Sequence, residues 1–183
     1  MSCVAAVVWN DKVWMGADSA ASDGEDMVDL VAKKLFFNGD FLIGTVGSLR
    51  LTQILCYRLV IPKYDEKQSL EHFMAVEFTD AVRAAFHDNG FSLMPAPNGD
   101  QPSGVVGSFL VGYNGRIFRV EGDLQFLERA DKFEAIGCGS PYALGALAQS
   151  TGGPPLERLG AALWAATHFS AHVRPPYYHL WEV

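Results

Sequence analysis

The sequence has few of the features that define several large classes of protein. It contains three cysteines, an odd number with no C-x-x-C pair, which argues against a disulfide framework or a zinc knuckle. Its 14 Lys and Arg are outnumbered by 21 Asp and Glu, and the net charge of −7 argues against nucleic acid or an anionic membrane as a partner. No stretch approaches the ~20 apolar residues of a membrane span, and the start lacks the basic segment of a signal peptide. We therefore expect a cytoplasmic protein.

The short motifs of common cofactor and metal enzymes are also lacking. Gly137-Cys138-Gly139 starts like a dinucleotide-binding loop, but Tyr142 stands where the third glycine is needed. There is no G-x-S-x-G elbow, P-loop or H-E-x-x-H motif. His168 and His172 are four positions apart, yet two ligands without a third are poor evidence for a metal. We expect neither a cofactor nor a metal site.

What is present is enough for one globular domain spanning residues 1–183. Hydrophobic residues make up 49% of the chain, which suits a single sizeable core. Apolar, β-prone runs and their turn signals predict strands at 3–8, 12–17, 34–37, 41–46, 108–112, 116–120 and 132–136. Helical periodicity predicts helices at 48–61, 69–87, 141–149 and 156–172, with a short tail after them. Segregated runs of strands and helices predict an α+β fold, in which two antiparallel sheets face each other with helices outside.

Two of these helices carry an apolar stripe. The members of the two stripes are Leu49, Thr52, Cys56 and Leu59 in the first helix, and Phe73, Val76, Phe78 and Val82 in the second. Such spacing is typical of an amphipathic helix that covers a sheet.

Five segments then follow one another in a distinctive order. They are 2–7 (SCVAAV), 16–19 (GADS), Lys34-Leu35, 44–47 (GTVG) and 135–143 (AIGCGSPYA). Sixteen positions separate Ser2 from Asp18, and sixteen separate Asp18 from Lys34. In sequence and spacing these segments resemble proteasome β-subunits and the bacterial HslV peptidase. The resemblance covers nearly the whole chain and implies the four-layer αββα sandwich of N-terminal nucleophile hydrolases.

The resemblance also implies a set of catalytic residues. Ser2, after loss of Met1, would supply both the nucleophilic hydroxyl and, through its α-amine, the general base. Lys34 would lie beside Ser2 and lower the pKa of its hydroxyl, while Asp18 would keep Lys34 charged and oriented. The backbone N–H of Gly47 would stabilise the oxyanion. Cys3 is the rival nucleophile, because a thiol is intrinsically better, but it breaks the spacing to Asp18.

Other positions of the resemblance concern substrate binding and the terminal amine. Ala21, Ser22, Ala32 and Thr45 map to the substrate groove, which predicts an apolar specificity pocket. Cys138 and Ser140 lie in the turn before a predicted helix, and Cys138 replaces a serine that bonds the terminal amine in the family. Ser170 replaces an aspartate that orients the same amine, and this loss should weaken proton relay.

Three functions remain open at this stage. The first is an amide-bond hydrolase, most simply a peptidase acting on peptides or proteins through Ser2. The second is an inactive scaffold or interaction protein on the same fold, and the third is an amidase for a small molecule. The resemblance implies a homo-oligomer, as a ring or related assembly, with an AAA+ unfoldase ATPase as a partner.

Overall fold

The computed structural model describes residues 2–22, 26–31, 34–91 and 107–183. Its strands are β1 (Val4–Trp9), β2 (Lys12–Asp18), β3 (Ala20–Ser22), β4 (Met27–Asp29), β5 (Leu35–Asn38), β6 (Phe41–Gly47), β7 (Gly107–Tyr113), β8 (Arg116–Val120), β9 (Phe126–Leu127), β10 (Phe133–Ile136) and β11 (Tyr177–Trp181). Its helices are α1 (Leu49–Tyr57), α2 (Leu70–Phe73), α3 (Thr79–Asp88), α4 (Ser140–Gln149) and α5 (Pro155–Phe169). A π-helical turn, Met74–Phe78, joins α2 to α3.

Two antiparallel sheets form the centre of the fold. The first has the strand order β10-β1-β2-β11 and the second has the order β5-β6-β7-β8-β9. The β1–β2 hairpin turns at Asn10 and Asp11, both with positive φ, as a two-residue turn between right-twisted strands requires. A separate small ribbon of β3 and β4 follows β2.

Alternation along β1 divides its buried side chains between two layers of core. Cys3, Ala5 and Val7 pack with α4 and α5 on the outer side of the first sheet. Val4 and Ala6 pack between the sheets, against residues such as Leu42 of β6. A third cluster fills the space between the second sheet and helices α1 to α3. The architecture is therefore the expected αββα sandwich of two antiparallel sheets flanked by helices.

The end of the chain differs from the expected short tail. β11 pairs with β2 along its whole length, from Tyr177 opposite Asp18 to Trp181 opposite Trp14, and extends the first sheet. The two tryptophan rings stack with their centroids 4.8 Å apart. The run Arg174-Pro175-Pro176 suggested an irregular end because proline cannot donate to a strand ladder, but it precedes β11 and leaves its donors intact.

The stripe on α1 also has a different environment from an ordinary core face. The side chains that α1 buries in the core are Leu51, Ile54 and Leu55. Of the stripe residues, Leu49 is 45% exposed and Thr52 and Cys56 are half-buried, whereas Leu59 follows α1 and is buried in the core. In the second helical segment, Phe73 and Phe78 are five residues apart yet both buried, because the wider π-helical turn brings i and i+5 onto one face. The same turn leaves Val76 43% exposed.

Candidate active site

Ser2 is held at the start of β1 by the turn that precedes α4. Its carbonyl oxygen accepts hydrogen bonds from the Gly139 amide at 3.3 Å and from the Cys138 thiol at 3.4 Å. Gly137 has a φ of +94°, and a Cβ there would lie 2.2 Å from the Ser2 carbonyl oxygen. Only glycine fits this close approach, so the G-C-G sequence serves to dock the Ser2 backbone. The Ser2 residue is 5% exposed.

Asp18 and Lys34 form a buried ion pair next to the start of β1. Lys34 Nζ donates to Asp18 Oδ1 at 2.6 Å and to the Ala20 carbonyl oxygen at 2.6 Å. The Asp18 carboxylate also accepts from the amides of Cys3 at 2.9 Å and Ala20 at 3.2 Å. Charge-assisted hydrogen bonds of this kind are the strong ones, and here they fix both side chains in place.

Burial and charge act on Lys34 in opposite directions. Removal from water lowers the pKa of the Lys34 ammonium, and the neighbouring Asp18 carboxylate opposes that effect. The backbone of Lys34 is fixed as well, because its carbonyl oxygen accepts from the Thr45 amide at 2.9 Å and the Thr45 hydroxyl at 3.4 Å. A lysine held in this way presents a positioned, partly desolvated cation.

A cavity of about 450 Å³ opens beside these residues. Of the residues singled out in the sequence, Ser2, Ala21, Lys34, Thr45 and Gly47 line it. Ser48, the N-cap of α1, lines it next to Gly47, so the strand-to-helix junction borders the cavity. Asp18 lies behind Lys34, away from the cavity lining.

The side chains of two predicted groove residues lie outside the described part of the structure. Ser22 ends β3, but its side chain is outside the described part of the structure. Ala32 lies outside the described residues altogether.

Cys138 and Ser170, where the sequence departs from the proteasome pattern, lie together at the turn that precedes α4. Cys138 Sγ lies 3.4 Å from the Ser170 hydroxyl, which follows directly after α5. Ser140 begins α4, and its amide donates to the Gly137 carbonyl at 3.0 Å. The resemblance places a serine and an aspartate at these two positions, and here a thiol and a hydroxyl stand in their place.

The Cys3 side chain lies on the outer side of the first sheet and does not line the cavity that contains Ser2. Its side chain is fully buried against the core formed with α4 and α5, and burial is the main cause that raises the pKa of its thiol to about 12. A buried, protonated thiol is a poor nucleophile. The geometry favours Ser2 over Cys3.

Several cavity residues were not assigned to the site from the sequence. Val28 and Leu30 come from the β4 region, and Leu49 and Thr52 come from α1. A second cavity of about 250 Å³ shares Leu30, Lys34, Leu49 and Thr52 with the first and extends along α1. Leu49, Thr52 and Cys56 are members of the α1 stripe, so the periodic signal was present in the sequence but marked a cavity wall. No local motif could show that β4 lies opposite this stripe.

The described residues contain neither a cluster of metal ligands nor a membrane-spanning helix. No three His, Cys, Asp or Glu side chains there gather closely enough to hold a metal ion. Within the same ranges, no helix combines the length and apolar character needed to cross a bilayer.

Solved structures of other proteins share this four-layer αββα fold. BPH from Thiobacillus denitrificans in complex with epoxomicin matches with a TM-score of 0.78 at 19% identity, covering 98% of this chain and 97% of that chain. Eukaryotic HslV from Trypanosoma brucei matches with a TM-score of 0.67 at 19% identity, covering 98% of each chain. Anbu from Yersinia bercovieri, described as an ancestral beta-subunit, matches with a TM-score of 0.68 at 17% identity, covering all of this chain and 81% of that chain.

These likenesses rest on structure and not on sequence. No protein-family model matches the sequence, and no curated protein matches it significantly. At such low identities the structural matches confirm the fold, including its resemblance to HslV, and leave the activity to be argued from the site.

Proposed function

We propose that this protein is a hydrolase of amide bonds, acting on peptides or proteins through Ser2 after removal of Met1. The observation that carries the proposal is the buried Lys34–Asp18 pair, whose Lys34 lines the same cavity as Ser2. A buried ion pair is an expensive way to stabilise a fold, whereas a fixed cation beside a hydroxyl has an immediate chemical use.

The mechanism follows from the groups that Met1 removal exposes. The α-amine of Ser2, with an ordinary pKa of about 7.7–8.0, takes the proton of the Ser2 hydroxyl. The hydroxyl oxygen attacks the substrate carbonyl carbon, and the carbonyl electron pair moves to its oxygen. The backbone N–H of Gly47 stabilises that oxyanion. The C–N bond then breaks, the leaving amine takes the proton back from the α-ammonium, and water hydrolyses the resulting ester.

Each fixed side chain has a role in this scheme. The Lys34 ammonium favours the developing alkoxide of Ser2 and disfavours protonation of the α-amine. Asp18 holds that ammonium through the 2.6 Å bond. Cys138 and Ser170 replace stronger partners of the amine, so we expect a slower proton transfer than a carboxylate would support.

A second candidate function is a non-catalytic scaffold, and a specific observation favours it. The Cys138–Ser170 pair at 3.4 Å brings no charge to orient an amine at Ser2. While Met1 is attached, Ser2 also has an amide nitrogen, which cannot act as a base.

The proposed setting is a homo-oligomer in the cytoplasm, with an AAA+ ATPase as a further partner. All three cysteines are free thiols, which suits a reducing compartment. Self-association is supported by the outer face of α4 and α5, where Tyr142, Leu156, Trp164 and Phe169 are between 40% and 61% exposed. Exposed aromatic clusters of this kind mark contact surfaces.

The deciding experiment is intact mass spectrometry before and after treatment with epoxomicin, the compound bound in the BPH structure. The hydrolase proposal expects loss of the Met1 mass and a single adduct, absent from the Ser2→Ala variant. Retained Met1 without an adduct would establish the scaffold instead.

A further inference from the structure

Side-chain hydrogen bonds attach α1 to the strands beside it at two places. The hydroxyls of Thr52 in α1 and Thr45 in β6 lie 2.7 Å apart and are hydrogen-bonded to each other. Farther along, Asn38 Nδ2 donates to two carbonyl oxygens at and just after the end of α1, both at 2.9 Å. Asn38 ends β5, and Lys34 directly precedes that strand. Both attachments therefore fix α1 relative to Lys34.

The bond between the two threonines belongs to a chain that ends on the backbone of Lys34. The Thr45 hydroxyl donates to the Lys34 carbonyl oxygen at 3.4 Å, and the Thr45 amide donates to the same oxygen at 2.9 Å. A hydroxyl has only one proton to donate, so the Thr45 oxygen accepts the proton of Thr52 in the 2.7 Å bond. Because Thr45 is 1% exposed, loss of this donor would leave a buried oxygen without it. The chain therefore runs from Thr52 through Thr45 to Lys34.

Thr52 also lies one helical turn from the junction that contains the proposed oxyanion donor. Its amide donates to the carbonyl oxygen of Ser48 at 3.4 Å, and Ser48 is the N-cap of α1, directly after Gly47. Thr52 thus connects the start of α1 to Lys34. In the proposed mechanism, the Gly47 N–H stabilises the oxyanion and the Lys34 ammonium stabilises the nucleophilic oxygen. The distance between these two groups must stay fixed if both are to act on one transition state.

We propose that Thr52 is a positioning residue that, through the Thr45 hydroxyl, holds the oxyanion donor Gly47 in register with Lys34. This inference rests on the proposed function and adds to it a residue that acts through its neighbours. The effect depends on the Thr52 hydroxyl, because valine has the same shape without a donor and serine keeps the donor. Loss of the hydroxyl should lower kcat and leave KM nearly unchanged, since the wall of the cavity keeps its shape.

The kinetic test measures hydrolysis of a fluorogenic tripeptide amide ending in Leu by the parent protein and its variants. We expect Thr52→Val to lower kcat by about five- to tenfold, the usual worth of one net hydrogen bond, and Thr52→Ser to retain most of it. The double variant Thr45→Val/Thr52→Val should be no slower than Thr45→Val alone, because the chain is already broken. Unchanged kcat in Thr52→Val, or an equal fall in Thr52→Ser, would overturn the inference.

Thr79→Val is the matched control for the loss of a threonine hydroxyl. The Thr79 hydroxyl also makes a 2.7 Å bond, to the Met74 carbonyl oxygen, but it lines neither cavity at the site. We expect Thr79→Val to leave kcat and KM unchanged. A fall in kcat as large as that of Thr52→Val would show a general loss of stability, and would overturn a positioning role for Thr52.

A second measurement separates this inference from the proposed activity. Amide hydrogen exchange is followed by NMR in the Ser2→Ala variant, where no hydrolysis is needed. Thr52→Val should speed exchange of the Thr45 amide, which donates to Lys34, by at least about tenfold, whereas Thr52→Ser and Thr79→Val should not. This result would support the inference even in a protein that hydrolyses nothing. Unchanged exchange at Thr45, or equally faster exchange throughout the fold, would overturn it even in an active enzyme. If Thr52→Val does not fold, Thr52→Ala takes its place with the same expectations.

Discussion

At the scale of single residues, the site depends on one buried charge pair. Asp18 is 1% exposed and Lys34 is 6% exposed, so neither charge is solvated by bulk water. Removing one partner of such a pair leaves the other charge without compensation, whereas removing both leaves only a loss of hydrogen bonds. This asymmetry allows stability and catalysis to be measured separately.

We expect Lys34→Met to lower the free energy of unfolding by about 3–5 kcal/mol, because the Asp18 carboxylate keeps its burial and loses its cation. The double variant Asp18→Asn/Lys34→Met should recover most of that loss, since a neutral amide replaces the stranded charge. Neither variant should hydrolyse amides. Urea unfolding followed by far-UV circular dichroism measures the stabilities. A double variant as unstable as Lys34→Met would show that the uncompensated Asp18 charge is not the cause of the lost stability.

The two cysteines near Ser2 should differ in reactivity by virtue of their surroundings. Cys138 is exposed, whereas Cys3 is fully buried and its pKa is raised to about 12. We expect iodoacetamide at pH 8 to alkylate Cys138 in the native protein and Cys3 only after unfolding. Peptide mapping by mass spectrometry locates the adducts, and native labelling of Cys3 would contradict the assigned side of β1.

The raised pKa of Cys3 also predicts how stability depends on pH. Above the ordinary thiol pKa of about 9, the unfolded chain loses the Cys3 proton while the native state keeps it. The unfolded state is then favoured, so this group lowers stability as pH rises from about 9 toward 12. The Cys3→Ala variant lacks this group, and urea midpoints measured across that range should fall less steeply for it than for the parent protein.

At the scale of elements, β11 and the residue after it tie the two sheets together. Glu182 Oε2 accepts from the Val13 amide in the first sheet at 2.7 Å and from the Gly115 amide in the β7–β8 turn at 3.0 Å. One carboxylate thus bridges hairpins from both layers. The sequence predicted only a short tail in this region and gave no sign of this contact.

We expect Glu182→Ala to lower the free energy of unfolding by about 1–3 kcal/mol, because two backbone donors lose a charged acceptor. Glu182→Gln is the matched control, since its carbonyl oxygen can accept both bonds and should retain most of the stability. Thermal and urea unfolding of the three proteins test this. Equal loss in both variants would mean that charge, and not the bridging oxygen, is what stabilises the junction.

The sequence predicted the elements that have local signals, such as turns, but not those that form by pairing with residues far away in the chain. The turns at Asn10-Asp11 and Asn114-Gly115 have positive φ values, and their residue types predicted both hairpins. β11 forms by pairing with the free edge of β2, and residues 177–181 alone do not reveal that this edge is available. Likewise the family resemblance suggested Asp18 and Lys34, but part of the cavity wall comes from the β4 region and α1, whose proximity depends on the tertiary fold. The α1 stripe was visible, and only the fold shows that it faces a cavity.

At the scale of the whole molecule, charge is distributed unevenly over the surface. The chain has a net charge of −7, yet residues 140–170 contain only Glu157 and Arg158 as formal charges, and Arg158 is buried. The face formed by α4 and α5 is therefore almost neutral, and it carries Tyr142, Trp164 and Phe169 as exposed rings. Two copies that meet through this face avoid the repulsion that their remaining surfaces impose.

We expect Trp164→Glu to lower the assembled mass measured by light scattering, because it places like charges opposite each other in a contact between copies. Val60→Glu is the control: it adds the same charge at an exposed apolar position after α1 and should leave the mass unchanged. Circular dichroism should show both variants folded, since Trp164 is 61% exposed. An unchanged mass for Trp164→Glu, or an equal fall in both variants, would remove this face from the assembly. A fall confined to Trp164→Glu would tie the neutral, aromatic surface of α4 and α5 to self-association, independently of whether Ser2 hydrolyses any substrate.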